Sequence, residues 1–551
     1  MQLHGKHIIS GQPAPATETA PSFFAVNPAD GAELQPAYRE ATHDEVNRAV
    51  REAADAQDSV AALSPELRGR LLREIAVGIE ALGDTLIQRC MAETALPEAR
   101  LTGERTRTVN QLRMFAALVE EGSWVEARID RSQPNRKPAP KPDLRRMLMP
   151  LGPVAVFGAS NFPLAFSVAG GDTASAIAAG NPVILKAHPC HPGTSELVGE
   201  VVTGAVKQLG LPPAILSMLH GAGHEVRKAL VSHPSLQAVG FTGSERGGRA
   251  LYNIAASRPA PIPVFAEMGS INPVFVLPGA LRTHSNELVS GLTHSATLSV
   301  GQFCTQPGVV FVCDCPERER WLEEAGTAIK SQSCGVMLSA GIASAYAEAV
   351  SQIENTPGVE PTGAEPVPRE RSEKRSTPPN ESTAPAAGTV VCPQTFAADL
   401  ETYLAAPALQ NEAFGPVTVF VRVNSEAELL RAAESLEGQL TATIHADSDE
   451  LTQHAALRAA LTRTAGRIIY NGYPTGVEVC PSMHHGGPYP AATFPQFTSI
   501  GTAAVLRFAR PVCFQNMPAE ALPPELQDEN PRGILRLVDG TPTREALSQI
   551  D

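Results

Sequence analysis

Residues 154–189 read VAVFGASNFPLAFSVAGGDTASAIAAGNPVILKAHP, and their pattern decides the fold. Val154–Phe157 and Val183–Leu185 are short apolar runs without polar alternation, and Thr173–Ala179 between them has the length and composition of a helix. A strand that does not alternate is buried on both faces, so a strand–helix–strand unit of this kind belongs in a parallel sheet covered on both sides. Downstream the rhythm continues through a helix at 196–209, a strand at 215–219, a helix at 226–231 and a strand at 238–242. Upstream, residues 44–120 read as a helical layer. Ser64-Pro65 is a start signal, and Leu71, Leu72, Ile75, Ile79, Leu82 and Leu86 recur at helical spacing. Pro138 to Pro142 form a proline-rich link, after which residues 145–157 read as strands around a turn. A second α/β region begins near Glu267, with strands at 274–277, 309–312, 417–423 and 467–470. Residues 356–388 are rich in Pro, Glu, Ser, Thr and Arg and poor in large apolar side chains, which predicts a mobile surface loop.

The chain has 551 residues, 43% of them hydrophobic and 19% charged, enough for two or three domains with a large core. A formal charge of −14 repels phosphate backbones and anionic lipid, so neither nucleic acid nor a membrane is an expected partner. The nine cysteines are scattered and odd in number. They form no CxxC pair and suggest no disulfide framework, as in a reducing cytoplasm. No run of eighteen apolar residues occurs, and the N-terminus lacks an apolar targeting segment.

Several residues could carry chemistry. Cys304 lies in Gly301-Gln302-Phe303-Cys304, where a lone cysteine beside a glycine is by itself most often an inert thiol. Glu267 follows an apolar run that should end at a domain edge, and a carboxylate in a partly dry cleft there would have a raised pKa suited to activating a thiol or a water. Asn161 opens the segment after the first strand, as a cap or as an amide pointing into a cleft. Lys186 ends a parallel strand, the edge at which α/β sheets bind ligands. Phe241-Thr242-Gly243-Ser244 through Gly248 joins a strand to a helix, so its N–H groups could face a pyrophosphate. Gly221-Ala222-Gly223 is a weak dinucleotide signal, because Val226 stands where a third glycine would. The adjacent pair His484-His485 lacks the spacing of a metal site, so no metal is expected.

In order and spacing, Asn161-Phe162-Pro163-Leu164, Leu185-Lys186, Phe241 to Ser244 with Gly248, Glu267-Met268-Gly269, Gly301 to Cys304 and Asn411-Glu412-Ala413-Phe414-Gly415-Pro416-Val417 resemble the aldehyde dehydrogenase superfamily over about residues 20 to 515. The resemblance implies a Rossmann-like cofactor domain (1–130 and 153–266), an α/β catalytic domain (267–487), a small β oligomerisation arm (131–152 and 488–512) and a C-terminal tail (513–551). It also implies roles. Cys304 is the nucleophile, Asn161 and the Cys304 N–H hold the oxyanion, and Glu267 activates the hydrolytic water. Lys186 and Glu412 hold riboses, Ser244 and its glycines Gly243 and Gly248 the pyrophosphate, and Phe414 the nicotinamide end. The assembly implied is a homodimer or homotetramer.

Further stretches, including Thr108 to Phe115, Lys186 to Glu196 and Gly476 to Cys480 with His485 to Pro488, resemble the branch that oxidises 2,5-dioxopentanoate. A neighbouring branch of NADP-dependent fatty aldehyde dehydrogenases is the second reading for substrate. For the distal carboxylate of the first, Arg113 is a candidate partner, and His485 a candidate neighbour of Cys304. Pro189 stands where NAD-preferring relatives place a ribose-binding glutamate. With Lys186, His188 and Arg227 able to meet a 2′-phosphate, NADP is expected to be accepted at least as well as NAD. Outside this class, a structural protein on the same fold or a cofactor-free thiol hydrolase would lack reduction of the cofactor.

Overall fold

The computed structural model describes residues 2–14, 17–364 and 389–547. Residues 365–388, the larger and C-terminal part of the stretch 356–388 expected to be a mobile loop, lie outside the described residues, and Glu360–Pro361 in the described part forms a short strand.

The helical layer is present, divided into five helices: His43–Asp55, Gln57–Ala61, Pro65–Ala81, Gly83–Thr94 and Glu98–Glu121. Thr42 and Glu45 close a capping box on the first, and Ser64 accepts from Leu67 N at the start of the third, with Pro65 in its first turn. This layer packs on the α/β unit through Leu71, Leu72, Ile75, Leu112 and Phe115, all buried against Val154, Val156 and Ile177.

The first sheet has the strand order Val264–Glu267, Ala238–Thr242, Val154–Phe157, Val183–Lys186, Leu216–Leu219, His7–Ile9, Gln12–Ala14. Its first five strands are parallel, and the N-terminal hairpin adds two antiparallel ones that the sequence reading did not include. From Val154–Phe157 the chain runs outward to one side through 183–186 and 216–219. It then returns to the other side through 238–242 and 264–267. The order reverses between Val154–Phe157 and Ala238–Thr242, and the crevice beyond their carboxyl ends is where an open α/β sheet takes a ligand.

The second sheet runs Glu360–Pro361, Gln394–Asp399, Val417–Val423, Val309–Cys313, Val274–Val276, Gln439–His445, Ala465–Tyr470, parallel except for its first strand. All four expected strands are there. Gln394–Asp399 and Gln439–His445 were not foreseen, because their Thr and Gln residues read as polar. Inside the fold these side chains are buried with partners: Thr395 Oγ1 donates to Thr362 O at 2.9 Å, and Thr441 Oγ1 to Asn272 Oδ1 at 2.9 Å.

The third sheet, Ala509–Gln515, Leu144–Pro150, Arg128–Asp130, Arg536–Val538, Thr541–Thr543, corrects two expectations. The proline-rich link is the loop of a hairpin joining 128–130 to 144–150, with Gln133 bridged to Lys141. The C-terminal tail is not separate from the arm, since Arg536–Val538 pairs in parallel with Arg128–Asp130. The expectation of unpaired cysteines is also corrected. Cys334 and Cys392 form a disulfide beside the short antiparallel pair Gly335–Val336 and Val390–Val391, which brings together residues 58 apart in sequence.

One buried ion pair ties the approach to the third sheet to the first. Arg507 Nη1 meets Asp172 Oδ1 at 2.8 Å, with both side chains nearly inaccessible, at the join of Thr502–Phe508 and the helix Gly171–Ala179. Arg507→Met leaves that carboxylate buried and alone, so it is expected to lower the unfolding free energy by about 3–5 kcal/mol, read from the midpoint of urea unfolding. Asp172→Asn combined with Arg507→Met should recover most of the loss, and equal losses in both variants would contradict this account of the join.

Candidate active site

A cavity of about 470 Å³ opens at the carboxyl edge of the first sheet, at the reversal of strand order. Register explains which residues meet there. Thr242 pairs with Glu267 and Phe157 with Lys186, while Phe241 pairs with Phe157, so the four strands end within one residue of one another. The loop 157–161 lines one wall, Phe241 to Ser244 the floor, and the helix Ala340–Glu354 with Glu412 and Phe414 the side belonging to the second sheet.

Cys304 reaches the cavity on a loop of unusual backbone. Ser299, Val300 and Gly301 have φ of 50°, 60° and 64°, three successive left-handed residues, and for a β-branched valine this is a strained conformation. Only glycine fits at 301, because a Cβ there would run into the backbone of Gly415 and Pro416. Asn272, fully buried, holds the far side: its Nδ2 donates to Cys304 O at 2.8 Å and to Gln306 O at 2.9 Å. Asn161 Nδ2 donates to Gln302 O at 3.0 Å, which places its carboxamide beside the thiol loop with a second N–H to offer. The sequence reading missed Asn272, and the only signal for it was an asparagine followed by a proline after the Glu267 strand.

The thiol does not stand alone. Cys304 Sγ lies 3.4 Å from His485 Nε2, and the same nitrogen lies 3.0 Å from Glu267 Oε1. A closed loop delivers His485. Its backbone N–H donates to Thr498 Oγ1 at 2.8 Å and its carbonyl accepts from Ser499 N at 2.8 Å, which also sets the Ser499 hydroxyl against the second oxygen of Glu267. The loop is fixed to the Glu267 strand by Met268 N donating to Ala491 O at 2.8 Å and Thr493 N to Ala266 O at 3.0 Å. All three donor atoms of Cys304, His485 and Glu267 lie within 4.8 Å of one another. With the imidazole within reach of both thiol and carboxylate, the trio is arranged for moving a proton.

Electrostatics fit that use, with one correction. Glu267 was expected to have a raised pKa. Burial does push it up, but the pair with His485, the Ser499 hydroxyl and the nearby Arg507 outweigh burial and hold it below the ordinary carboxylate range. The Cys304 thiol is pushed well above its usual value by burial and by Glu267 and Glu412, against the opposing pull of Arg107 and Arg467. The thiol therefore rests protonated and needs an acceptor for its proton.

The other expected residues sort clearly. Lys186, His188 and Arg227 line one end of the cavity and Gly243, Ser244, Glu412 and Phe414 the remainder. Lys186 is buried, and burial followed by the nearby Arg227 brings its pKa down to about 7. Burial and the neighbouring His191 and Lys186 keep His188 neutral, so it contributes a hydrogen-bonding group and no positive charge. Burial raises Glu412 to about 8, which lets it donate as well as accept near neutral pH. Ser244 caps the helix Glu245–Ala256, accepting from Gly247 N at 3.2 Å, so the N–H groups of that first turn face the cavity side of the loop. Gly248 lies behind the lining, where a Cβ would meet Met268 Sδ at 2.6 Å; it sets helix against strand. Arg113 does not belong to the site. Its Nη2 donates to Glu80 Oε2 at 2.7 Å on the outer face of the helical layer, and both side chains are nearly half exposed.

The model of the aldehyde dehydrogenase family matches residues 16–358. The chain is 47% identical over 541 residues to alpha-ketoglutaric semialdehyde dehydrogenase 2 of Azospirillum brasilense, covering 98% of this chain and 99% of that protein. It is 41% identical over 542 residues to the alpha-ketoglutaric semialdehyde dehydrogenase of Acinetobacter baylyi, again covering 98% and 99%. Among solved structures, lactaldehyde dehydrogenase from Escherichia coli superposes with a TM-score of 0.77 at 18% identity, over 93% of this chain and 98% of that one. PnpE in complex with nicotinamide adenine dinucleotide gives 0.75 at 22%, over 95% and 100%.

The Cys304–His485 contact has a measurable consequence. Substituting His485→Gln should slow alkylation of Cys304 by iodoacetamide about 100-fold near neutral pH and move the rise of that rate to higher pH. An unchanged alkylation profile would mean that the imidazole does not receive the thiol proton.

Proposed function

The chain belongs to the aldehyde dehydrogenase family, and from that premise we propose that it oxidises 2,5-dioxopentanoate to 2-oxoglutarate with NADP or NAD, NADP being favoured. The observation that carries the chemistry is the contact of His485 with both Cys304 and Glu267, two residues that line the same cavity as Lys186. The names of two relatives, each matched over nearly the whole chain, support the substrate.

The thiol of Cys304 passes its proton to His485, whose charge the Glu267 carboxylate balances, and the thiolate attacks the aldehyde carbon. The oxygen that becomes negative in the thiohemiacetal is held by the free N–H of the Asn161 carboxamide and the Cys304 backbone N–H. A nicotinamide cofactor, when bound, supplies the acceptor for the hydride. Its fit is supported by a buried lysine that lines the cavity, by the capped helix start at Ser244, and by a glycine at 269 whose Cβ would collide with Glu412. Lys186 and Glu412 would hold riboses, Ser244 with Gly243 the pyrophosphate, and Phe414 the nicotinamide end. The thioester on Cys304 is then cleaved by a water that gives its proton to Glu267 or, through it, to His485, releasing the thiolate and the carboxylate product. Glu267 is suited to both roles because its proximity to His485 persists whichever of the two carries the proton.

Arg227 and Lys186 supply the positive charge for a 2′-phosphate, Pro189 brings no carboxylate of its own to that corner, and Glu40, the acidic group that acts on both cations, is engaged by the N–H groups of Ala222 and Gly223. We assign the protein to the cytoplasm, and none of its described helices is long and apolar enough to cross a membrane. The third sheet, whose outer strand Ala509–Gln515 has one edge unpaired, serves as the surface for a homodimer or homotetramer.

Cys304→Ala should abolish reduction of the cofactor, while Glu267→Gln should retain a first-turnover burst followed by a slow steady state. Loss of the burst as well would assign Glu267 to thiol activation instead of hydrolysis. The cofactor reading has its own pH signature. Lys186 is protonated in the free protein below about 7, and a bound 2′-phosphate raises its pKa. The advantage of NADP over NAD is therefore full below that value and declines as pH rises beyond it. A ratio of dissociation constants that stays flat across this range would show that Lys186 does not read the phosphate.

A further inference from the structure

The helix Glu98–Glu121 turns one face toward Cys304. Arg100, Glu104 and Arg107 fall at helical spacing on that face, whereas Arg113, six residues beyond Arg107, is carried round to solvent. Glu104 is fully engaged: its carboxylate accepts from Leu164 N at 2.9 Å, Ala165 N at 2.8 Å and Arg100 Nη1 at 2.6 Å. Arg107 has no such contact, and the Glu104 carboxylate acts on it only through space. Among the described residues it has neither a hydrogen bond nor an ion pair, and its Nε is buried without a partner.

The surroundings of Arg107 lead to the thiol. Its guanidinium lies 5.3 Å from the centre of the Phe162 ring and 5.5 Å from that of Phe166, and Phe162 meets Phe303 edge-on at 5.4 Å. Phe303 is the residue before Cys304. These rings belong to an apolar cluster with Leu298, Val477, Val479 and Met483. Arg107 acts through space on both Cys304 and Glu267, and Arg467, whose Nε is likewise buried and unpartnered, acts on Cys304 from the second sheet.

A cation with no directly bonded anion at an apolar wall is a cost that a protein bears where a ligand supplies one. The aromatic faces hold the guanidinium plane and leave its edge open, and that edge matches a carboxylate through two parallel N–H···O bonds. Cys304 and Arg107 are near enough that each acts on the other's charge, so one short substrate can address both.

We infer that Arg107 is the receptor for the distal carboxylate of the substrate, so that the site takes ω-oxo acids, with the Phe162, Phe166 and Phe303 rings packed on the intervening carbons and Arg467 flanking the aldehyde end. This rests on the aldehyde-oxidising reading above and gives Arg107 the place that the sequence suggested for Arg113. A fatty aldehyde would suit the rings but would leave Arg107 unpaired.

The test is the ratio of kcat/KM for 2,5-dioxopentanoate over pentanal, measured on the full chain with NADP. In Arg107→Met this ratio should fall about 100-fold, and in Arg107→Lys, which keeps the charge and loses the fork, about 10-fold. Cofactor affinity and circular dichroism check that each variant is folded, and if Arg107→Met fails to fold, Arg107→Lys decides. A ratio unchanged in the variants overturns the assignment of Arg107. A wild-type ratio near one instead overturns the substrate reading, and glutarate then decides the present inference. Inhibition by glutarate competitive with pentanal and lost on substitution supports a carboxylate site at Arg107, and its absence overturns one.

Discussion

A carboxylate buried at the end of a parallel strand is the constraint around which this molecule is organised. Glu267 is almost inaccessible to water, and a charge in that position is tolerable only if partners replace the lost hydration. The Ser499 hydroxyl and the His485 imidazole do so directly, and Arg507 contributes from further off. Those partners come from one length of chain that crosses the edge of the first sheet, pairs with Met268 and Ala266, and then enters the strand Ala509–Gln515 of the third sheet. The ion pair of Arg507 with Asp172 fixes that crossing to the helix Gly171–Ala179. The small sheet, the edge of the first sheet and the proton-transfer trio are therefore one mechanical unit.

The second sheet meets this unit through the thiol loop. Left-handed backbone at Ser299, Val300 and Gly301 brings Cys304 up to the trio, and the loop stays there because Asn272 grips the carbonyls on its far side. Strain of this sort persists only where the surroundings over-determine it, and here the close approach of Gly301 to Gly415 does so. That approach also keeps Glu412 and Phe414 against the cavity. Placement of the nucleophile and of one cavity wall are two results of a single backbone contact.

What could be read in the sequence and what could not follow a physical line. Lys186, Glu267 and the Phe241 to Ser244 loop were legible because they sit at fixed offsets from the ends of apolar strands, and an open α/β sheet collects such ends at one edge. Pairings across long sequence separations were not. The partnership of Cys304 with His485 spans 181 residues, and nothing local to either reports it beyond the family resemblance. Gln394–Asp399 and Gln439–His445 escaped notice because a polar side chain with a buried partner looks the same in a sequence as one in water. Arg113 and Arg107 share a helix, and composition does not say which phase of it faces inward; only the packing of Phe162 and Phe166 does. The raised pKa expected for Glu267 failed for a related reason, since burial was foreseeable and its compensation was not.

The disulfide between Cys334 and Cys392 bears on covalent continuity. It joins the chain just before and just after an excursion that contains the helix Ala340–Glu354, one wall of the cavity. A backbone nick anywhere from 337 to 389 would therefore leave two fragments still joined as one molecule, with the cut wall tethered to its neighbours. Only in the presence of a reductant would such a nicked protein come apart, so its integrity in that region depends on sulfur chemistry as much as on the peptide bond.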